Sequence, residues 1–323
     1  MRDVQLRLFA LNATRELGGR IAAALGRALD PHEEREFEDG EHKARPLVDV
    51  RGADVYVIQG MHGDAAASAN DKLIRLLFFA GALRDHGAAR VTAVVPYLAY
   101  ARKDRVTKPR DPVTTRYVAQ LFETIGIDAV VALEVHNVVA LQNAFRIPTL
   151  HLDAATLFIE RAAALAAEGA LAVVSPDPGG VKRAQLFREA LESHVGRPVG
   201  SAYLEKRRSA GVVSGSLLAG DVRGATVLLF DDLISTGGTM VRAAETCLAH
   251  GAQRVFALAA HGLFNEGANA AIVHPALAGT LVSDSVPPFR LDAAARARVE
   301  IVSCAPLLAQ AIESLHLGFA ARS

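Results

Sequence analysis

The stretch that most restricts this chain runs from Ala225 to Thr239, where the apolar run ATVLLF meets DDLISTGGT. Apolar residues without polar alternation predict a strand covered on both faces, and the amphipathic segment Met240 to His250 predicts a helix behind it. The loop between them is a strand-to-helix turn. Gly237 and Gly238 free its backbone to bend so that N–H groups converge near the positive end of the helix dipole, and Ser235, Thr236 and Thr239 add hydroxyl donors. Such a turn suits a phosphate, although a lone Ser-Thr-Gly-Gly is also an ordinary loop. Asp231 and Asp232 decide between the two: adjacent carboxylates cost stability unless compensated, and they suit ribose hydroxyls directly or through Mg²⁺. A sugar phosphate satisfies both halves of the pattern.

The same strand–turn–helix pattern recurs along the chain. Val4, Leu6 and Leu8 alternate like a strand, and Asn12 to Leu29 carries apolar residues at helical spacing, with Asn12 or Thr14 as candidate caps. Strands are expected at Asp54 to Ile58, Val91 to Val95 and Ala129 to Leu133, with helices at Ala69 to His86 and Val113 to Ile125. A second series begins near Pro148, with helix Ala154 to Ala167, strands Leu171 to Val174 and Val199 to Leu204, and a last helix Ala305 to Leu315. Strands alternating with helices predict an α/β fold with mostly parallel sheets flanked by helices. A chain of 323 residues divides naturally into two domains. We expect them at 1–150, joined by the C-terminal helix 305–318, and at 151–304.

Several turns carry chemistry. PYLAYARKDRVTKPRDP gathers Arg102, Lys103, Arg105, Lys108 and Arg110 just beyond a strand end, where open α/β sheets bind ligands; it reads as a polyphosphate site or as a solvated basic loop. Glu134 and His136 follow another strand end. Asp177, in SPDPGG, favours a metal or ribose ligand over a simple N-cap. EKRRSAG places Lys206, Arg207 and Arg208 before a small flexible stretch, either a basic hairpin turn or a mobile loop that closes over a transferring anion. Phe37, Asp39 and Glu41, in EFEDGE, read alone as a turn with solvated acids.

Composition sets limits. The 35 Lys and Arg balance 35 Asp and Glu, so no global field draws the chain to nucleic acid or anionic membrane, and an anion site must be local. Charges interrupt every long apolar run, and MRDVQLRLF lacks a signal-peptide core, so the expectation is a cytoplasmic protein. Cys247 and Cys304 lack CxxC spacing, which argues against a zinc site or a disulfide framework. Neither GxxxxGK[ST] nor GxGxxG is present.

Taken jointly, FEDGE, the ND before a long helix, PYLAYARKDR, EVHN, VVSPDPGG, EKRR, DDLISTGGT and SCAPLLAQAI resemble, in order and spacing, the ribose-phosphate diphosphokinases, also called phosphoribosyl-pyrophosphate synthetases. The resemblance covers about residues 35 to 315. It implies two tandem type I phosphoribosyltransferase-like domains with the active site between them, in a homo-oligomer. It implies transfer of the β,γ-diphosphoryl group of ATP to the C1 hydroxyl of ribose 5-phosphate, with Mg²⁺ as cofactor. Carried over by motif, Asp231, Asp232, Ser235, Thr236, Gly237, Gly238 and Thr239 hold ribose 5-phosphate, and Arg102, Lys103 and His136 hold ATP. Phe37, Asp39 and Glu41 match the adenine-recognition segment lent by a neighbouring subunit. His136 and Asp177 match metal-associated positions, and Lys206 and Arg208 the catalytic loop.

The chain departs from the family at EVHN, where DLHA is usual, at Lys103, where Gln is usual, and at Pro178. Glu134 and Lys103 therefore suggest altered triphosphate binding. Two other readings fit parts of the pattern: a phosphoribosyltransferase that consumes the diphosphate product, and a non-catalytic regulatory homologue.

Overall fold

The computed structural model describes residues 4–165, 169–209 and 212–321, with the backbone alone for 206–209 and 212–216. The chain divides into two compact units, Met1–Leu152 with Cys304–Ser323, and Asp153–Ser303.

The first unit runs β1 (Leu6–Ala10), α1 (Arg15–Ala24), β2 (His32–Glu36), β3 (His42–Pro46), β4 (Asp54–Ile58), α2 (Ala69–Asp85), β5 (Arg90–Val95), α3 (Thr114–Thr124), β6 (Ala129–Leu133), α4 (Val138–Ala144) and β7 (Thr149–Leu152). Its five-stranded sheet has the order β1-β4-β5-β6-β7, parallel throughout. β4 and β6 are buried at every position, as expected of strands whose two faces are both covered. α2 starts where Ser68 and Asp71 form a reciprocal capping box. β2 and β3 form a separate antiparallel pair, which HEERE and HKARP conceal because neither holds an apolar run.

The helix expected over Asn12 to Leu29 is shorter. A 3-10 turn at Asn12–Thr14 precedes α1, which ends at Ala24; Asn12 lies inside the turn, and Thr14, at the N-cap of α1, makes no side-chain cap hydrogen bond. Thr14 Oγ1 instead accepts from the Gly60 amide (2.8 Å) and donates to Gln59 Oε1 (3.1 Å), tying the turn to the end of β4. A tertiary partner outbid the local cap.

The second unit runs α5 (Ala155–Leu165), β8 (Ala170–Ser175), α6 (Val181–Val195), β9 (Gly200–Ser209), β10 (Val212–Gly220), β11 (Ala225–Ile234), α7 (Gly238–Ala249), β12 (Arg254–Gly262), α8 (Ala268–Ile272), β13 (Gly279–Ser283), α9 (Ala293–Arg296) and β14 (Val299–Val302). The sheet order is β10-β9-β8-β11-β12-β13-β14, with β10 antiparallel to β9 and the remaining pairs parallel. The backbone of EKRR continues β9 instead of leaving it as an open loop, because Val212 to Gly220 supplies an antiparallel partner.

The last helix, α10 (Ala305–Ala320), belongs to the first unit and is fastened there by a buried ion pair. Asp54 is fully buried, and Arg90 grips it with two bonds of 2.7 Å. Arg90 Nη2 also donates to the Leu315 carbonyl (3.0 Å), its guanidinium lies 4.2 Å from the centre of the Phe319 ring, and His316 Nδ1 is 2.7 Å from Asp54 Oδ2. Removing one partner of such a pair leaves an uncompensated buried charge. Arg90→Ala is expected to lower unfolding stability by about 3 kcal/mol, measured by urea denaturation. Arg90→Lys should lose part of that, since an ammonium cannot reproduce the fork.

Both cysteines are buried and free. Burial pushes the Cys247 thiol up to about 12, which makes it an inert core group. Among the described residues no helix is long and apolar enough to cross a membrane.

Candidate active site

In the second unit, the C-terminal ends of the parallel strands gather most of the polar residues that the sequence singled out. β11 delivers Asp231 and Asp232, both largely shielded from solvent. Arg183, in the first turn of α6, places Nη1 3.3 Å from Asp231 Oδ1 and 3.8 Å from Asp232 Oδ1. Burial, then the Asp232 charge, lifts the Asp231 carboxyl well above its ordinary value, and Arg183 offsets only part of this. Hydroxyl donors or a cation beside the pair would stabilise its ionised form.

The loop that follows is built around Gly237, whose φ is +79°. A Cβ there would lie 2.5 Å from Ala271 Cβ, so both conformation and space require glycine. The far side of the loop is tied down: Leu263 N and Phe264 N donate to the Ile234 carbonyl, while Asn265 gives its amide N–H to Ser235 O and its side chain to Ser235 Oγ, each at 2.9 Å. Gly237 caps α7 without a side-chain hydrogen bond. First-turn amides have no intrahelical acceptor, and this end suits an anion. Arg242, one turn into α7, reaches Thr239 Oγ1 at 3.4 Å and adds a cation.

Asp177 follows β8 and caps a 3-10 turn, accepting from Gly179 N (2.9 Å) and Gly180 N (3.2 Å) through Oδ1. That turn is packed against the carboxylate pair, because a Cβ on Gly180 would sit 3.7 Å from Asp231 Oδ1. The backbones of Lys206 and Arg208 lie on β9, opposite Ser216 and Val213, and their side chains fall outside the described residues.

Sequence reasoning missed Arg183, Asn265 and Arg242. Arg183 had a usable signal, since it stands three residues beyond Gly180 in a helix opening at the same rim. Asn265 had none, because its partnership with Ser235 spans 30 residues.

In the first unit, Arg102 is exposed just beyond β5, whereas the Lys103 ammonium bonds to Asp111 Oδ2 at 2.5 Å. Tyr100, with φ +64°, turns the chain into this segment. His136 is exposed after β6. Glu134 is buried, with φ +34° and its amide bonded to the Leu152 carbonyl (2.9 Å). Phe37, Asp39 and Glu41 are exposed at the tip of the β2–β3 hairpin, where Phe37 N donates to Glu41 O (2.8 Å) and the Arg35 guanidinium lies 5.2 Å from the Phe37 ring centre. Among the described residues no group of three or more His, Cys, Asp or Glu is placed to hold a metal ion.

Comparison with known proteins bears on both units. Residues 6–126 match the N-terminal domain of ribose phosphate pyrophosphokinase, 143–263 the phosphoribosyl transferase domain, and 213–321 the phosphoribosyl synthetase-associated domain. The chain is 35% identical to a putative ribose-phosphate pyrophosphokinase 1 of Enterococcus faecalis, over 97% of this chain and 93% of that protein. It is 36% identical to a ribose-phosphate pyrophosphokinase of Caldanaerobacter subterraneus, over 97% and 95%. The chain belongs to the ribose-phosphate pyrophosphokinase family.

The solved phosphoribosylpyrophosphate synthetase of Mycobacterium smegmatis superimposes with a TM-score of 0.86 at 31% identity, covering 97% of this chain and 99% of that one. This family member therefore has the α/β fold that its alternating pattern predicts, with the phosphoribosyltransferase-type architecture that the resemblance implies. The pyrophosphokinase likeness runs through the basic segment and the β2–β3 hairpin of the first unit as well as the carboxylate rim of the second.

Proposed function

We propose that the chain is a Mg²⁺-dependent ribose-phosphate diphosphokinase, which converts ATP and ribose 5-phosphate to 5-phosphoribosyl 1-diphosphate and AMP. The observation that carries the reading is the likeness to ribose-phosphate pyrophosphokinases along 97% of the chain, so that it includes the basic segment as well as the sugar-phosphate loop.

The residues divide the work as the chemistry asks. Asp231 and Asp232 accept hydrogen bonds from the ribose hydroxyls, and the loop Ser235–Thr239 at the start of α7 takes the 5-phosphate, with Arg242 beside it. The C1 hydroxyl attacks the β-phosphorus. The new C1–O–P bond forms as the bond from β-phosphorus to the oxygen shared with the α-phosphorus breaks, and AMP leaves with that oxygen. Negative charge shifts along this line without a covalent enzyme intermediate, so fixed cations can lower the barrier. Arg102, Lys206 and Arg208 are assigned to that task.

Mg²⁺ fits the Asp177 carboxylate, because it favours hard oxygen ligands, keeps several waters and is bound largely through substrate phosphates. Asp177, with His136 toward the nucleotide phosphates, would hold it, and it would neutralise charge on the diphosphoryl oxygens. Phe37, Asp39 and Glu41 are assigned to adenine recognition in a neighbouring subunit of a homo-oligomer, a role that suits an exposed hairpin tip. The protein is assigned to the cytoplasm.

The test is AMP formation by purified protein given ATP. AMP is expected only when ribose 5-phosphate and Mg²⁺ are both present. Diphosphate release that depends on a nucleobase, without AMP formation from ATP, would identify a phosphoribosyltransferase instead. Absence of turnover together with altered kinetics of an active synthetase would identify a regulatory subunit.

A further inference from the structure

We infer that Lys103 is a positioning residue, clasped to Asp111 so that the basic segment between β5 and α3 is held in one shape and presents Arg102 to the triphosphate. The inference rests on the proposed triphosphate-binding role of that segment.

The segment is a problem in electrostatics. Arg102, Lys103, Arg105, Lys108 and Arg110 lie within nine residues, and their mutual repulsion favours an open, fluctuating chain. The acids interspersed with them are Asp104 and Asp111, and each is used as a tether. Asp111 Oδ2 accepts from Lys103 Nζ (2.5 Å), Thr107 Oγ1 (2.6 Å), Lys108 N (2.9 Å) and Thr107 N (3.1 Å). Lys103 Nζ also bonds to Thr107 Oγ1 at 2.9 Å.

Lys103 is gripped at both ends. Its carbonyl accepts from Thr115 Oγ1 at 3.2 Å, and the same hydroxyl lies 3.0 Å from the Tyr100 carbonyl, which fixes the segment to the first turn of α3. The second tether runs to α4. Asp104 Oδ2 accepts from Asn137 Nδ2 (2.6 Å), while Asn137 Oδ1 caps α4 by accepting from Ala140 N (3.1 Å). One amide thus joins the basic segment to the backbone beside His136.

The clasp persists through the neutral range, since Lys103 first, then Thr107 and Lys108, holds the Asp111 carboxyl well below the usual carboxylate range. An ammonium committed in this way contributes geometry, and Arg102, exposed beside it, keeps its fork for phosphate oxygens.

A phosphate-binding Lys103 and a clasping Lys103 predict opposite signs at Asp111. If the lysine bound phosphate, Asp111→Ala would release it and tighten ATP. If it clasps, Asp111→Ala loosens the segment and weakens ATP.

The experiment measures kcat and the KM for ATP in Lys103→Gln, Asp111→Ala and the double variant, together with hydrogen exchange of residues 103–111 in the ligand-free proteins. We expect each single change to raise the KM about fivefold, more than it changes kcat, and the double variant to match the singles instead of multiplying them. Exchange protection at Thr107 and Lys108 should fall in all three. An unchanged or lower KM in Asp111→Ala, or multiplicative effects in the double variant, would overturn the proposal. Should the wild type form no AMP, the functional reading fails by itself. The exchange measurement then decides the clasp, which is refuted if Lys103→Gln keeps wild-type protection.

Discussion

Replacing Asp231 by Asn is expected to stabilise the unliganded protein while removing nearly all of its activity. Burial and the Asp232 charge raise the Asp231 carboxyl above its ordinary value of 3.8. The folded chain therefore keeps a proton there that the unfolded chain releases. That contribution to stability is complete below the unfolded value and is lost as pH rises through the raised folded value. Above it, Arg183 faces two crowded anions. Asparagine cannot ionise, so the variant escapes the penalty. Urea unfolding at pH 8 should show a gain on the order of 2 kcal/mol, shrinking as the pH is lowered toward 5.

Activity moves the other way. On the proposed role the sugar ionises Asp231, and the charge-assisted hydrogen bonds from ribose hydroxyls that Asp231→Asn loses are worth roughly 4 kcal/mol, so kcat/KM for ribose 5-phosphate should fall about a thousandfold. A variant that is less stable than wild type at pH 8, or that turns over normally, would show that the crowded pair is not held for the sugar.

The sequence reveals the candidate residues of each unit unevenly. Its strand ends were legible because ATVLLF, AVVAL and LAVV are apolar without alternation, and the residues immediately after such runs must emerge at the sheet's C-terminal rim. The rim positions of Asp231, Asp232 and Asp177 in the second unit, and of His136 in the first, were readable on that ground. Side chains that arrive from elsewhere in the sequence were not. Arg183 meets Asp231 across 48 residues, Asn265 meets Ser235 across 30, and Asn137 meets Asp104 across 33, and no local period records such distances.

The destination of a long side chain was equally hidden. Lys103 reads as one more cation in a basic run, and only the folded segment places its ammonium on Asp111. The β2–β3 hairpin escaped because its covered face is built from His32, Glu34, His42 and Ala44 instead of large apolar residues, so HEERE and HKARP resemble a solvated loop. β10 escaped for a related reason. Its sequence VVSGSLLAG mixes small and apolar residues without a clear period, and its pairing with β9 fixes it.

Gly237→Val is expected to be the most damaging single change in the loop that we assign to the sugar phosphate. At φ +79° an L-residue costs about 1–2 kcal/mol, and a β-branched one more. The new Cβ would also stand 2.5 Å from Ala271 Cβ, and α8 is held by its own packing, so the loop must move. Overpacking of this kind adds about 1–3 kcal/mol. A combined penalty of about 4 kcal/mol that falls on the loop geometry corresponds to roughly a thousandfold loss in ribose 5-phosphate affinity.

Gly238→Ala separates strain from the mere loss of a glycine. Gly238 lies outside the left-handed region, and the nearest atom to an added Cβ is the flexible end of Arg242 at 3.3 Å. This variant should unfold at the wild-type urea midpoint, whereas Gly237→Val should bind ribose 5-phosphate too weakly to titrate while its first-unit core stays cooperative. Equal effects of the two substitutions on binding would mean that the phosphate is gripped by something other than the backbone turn at Gly237.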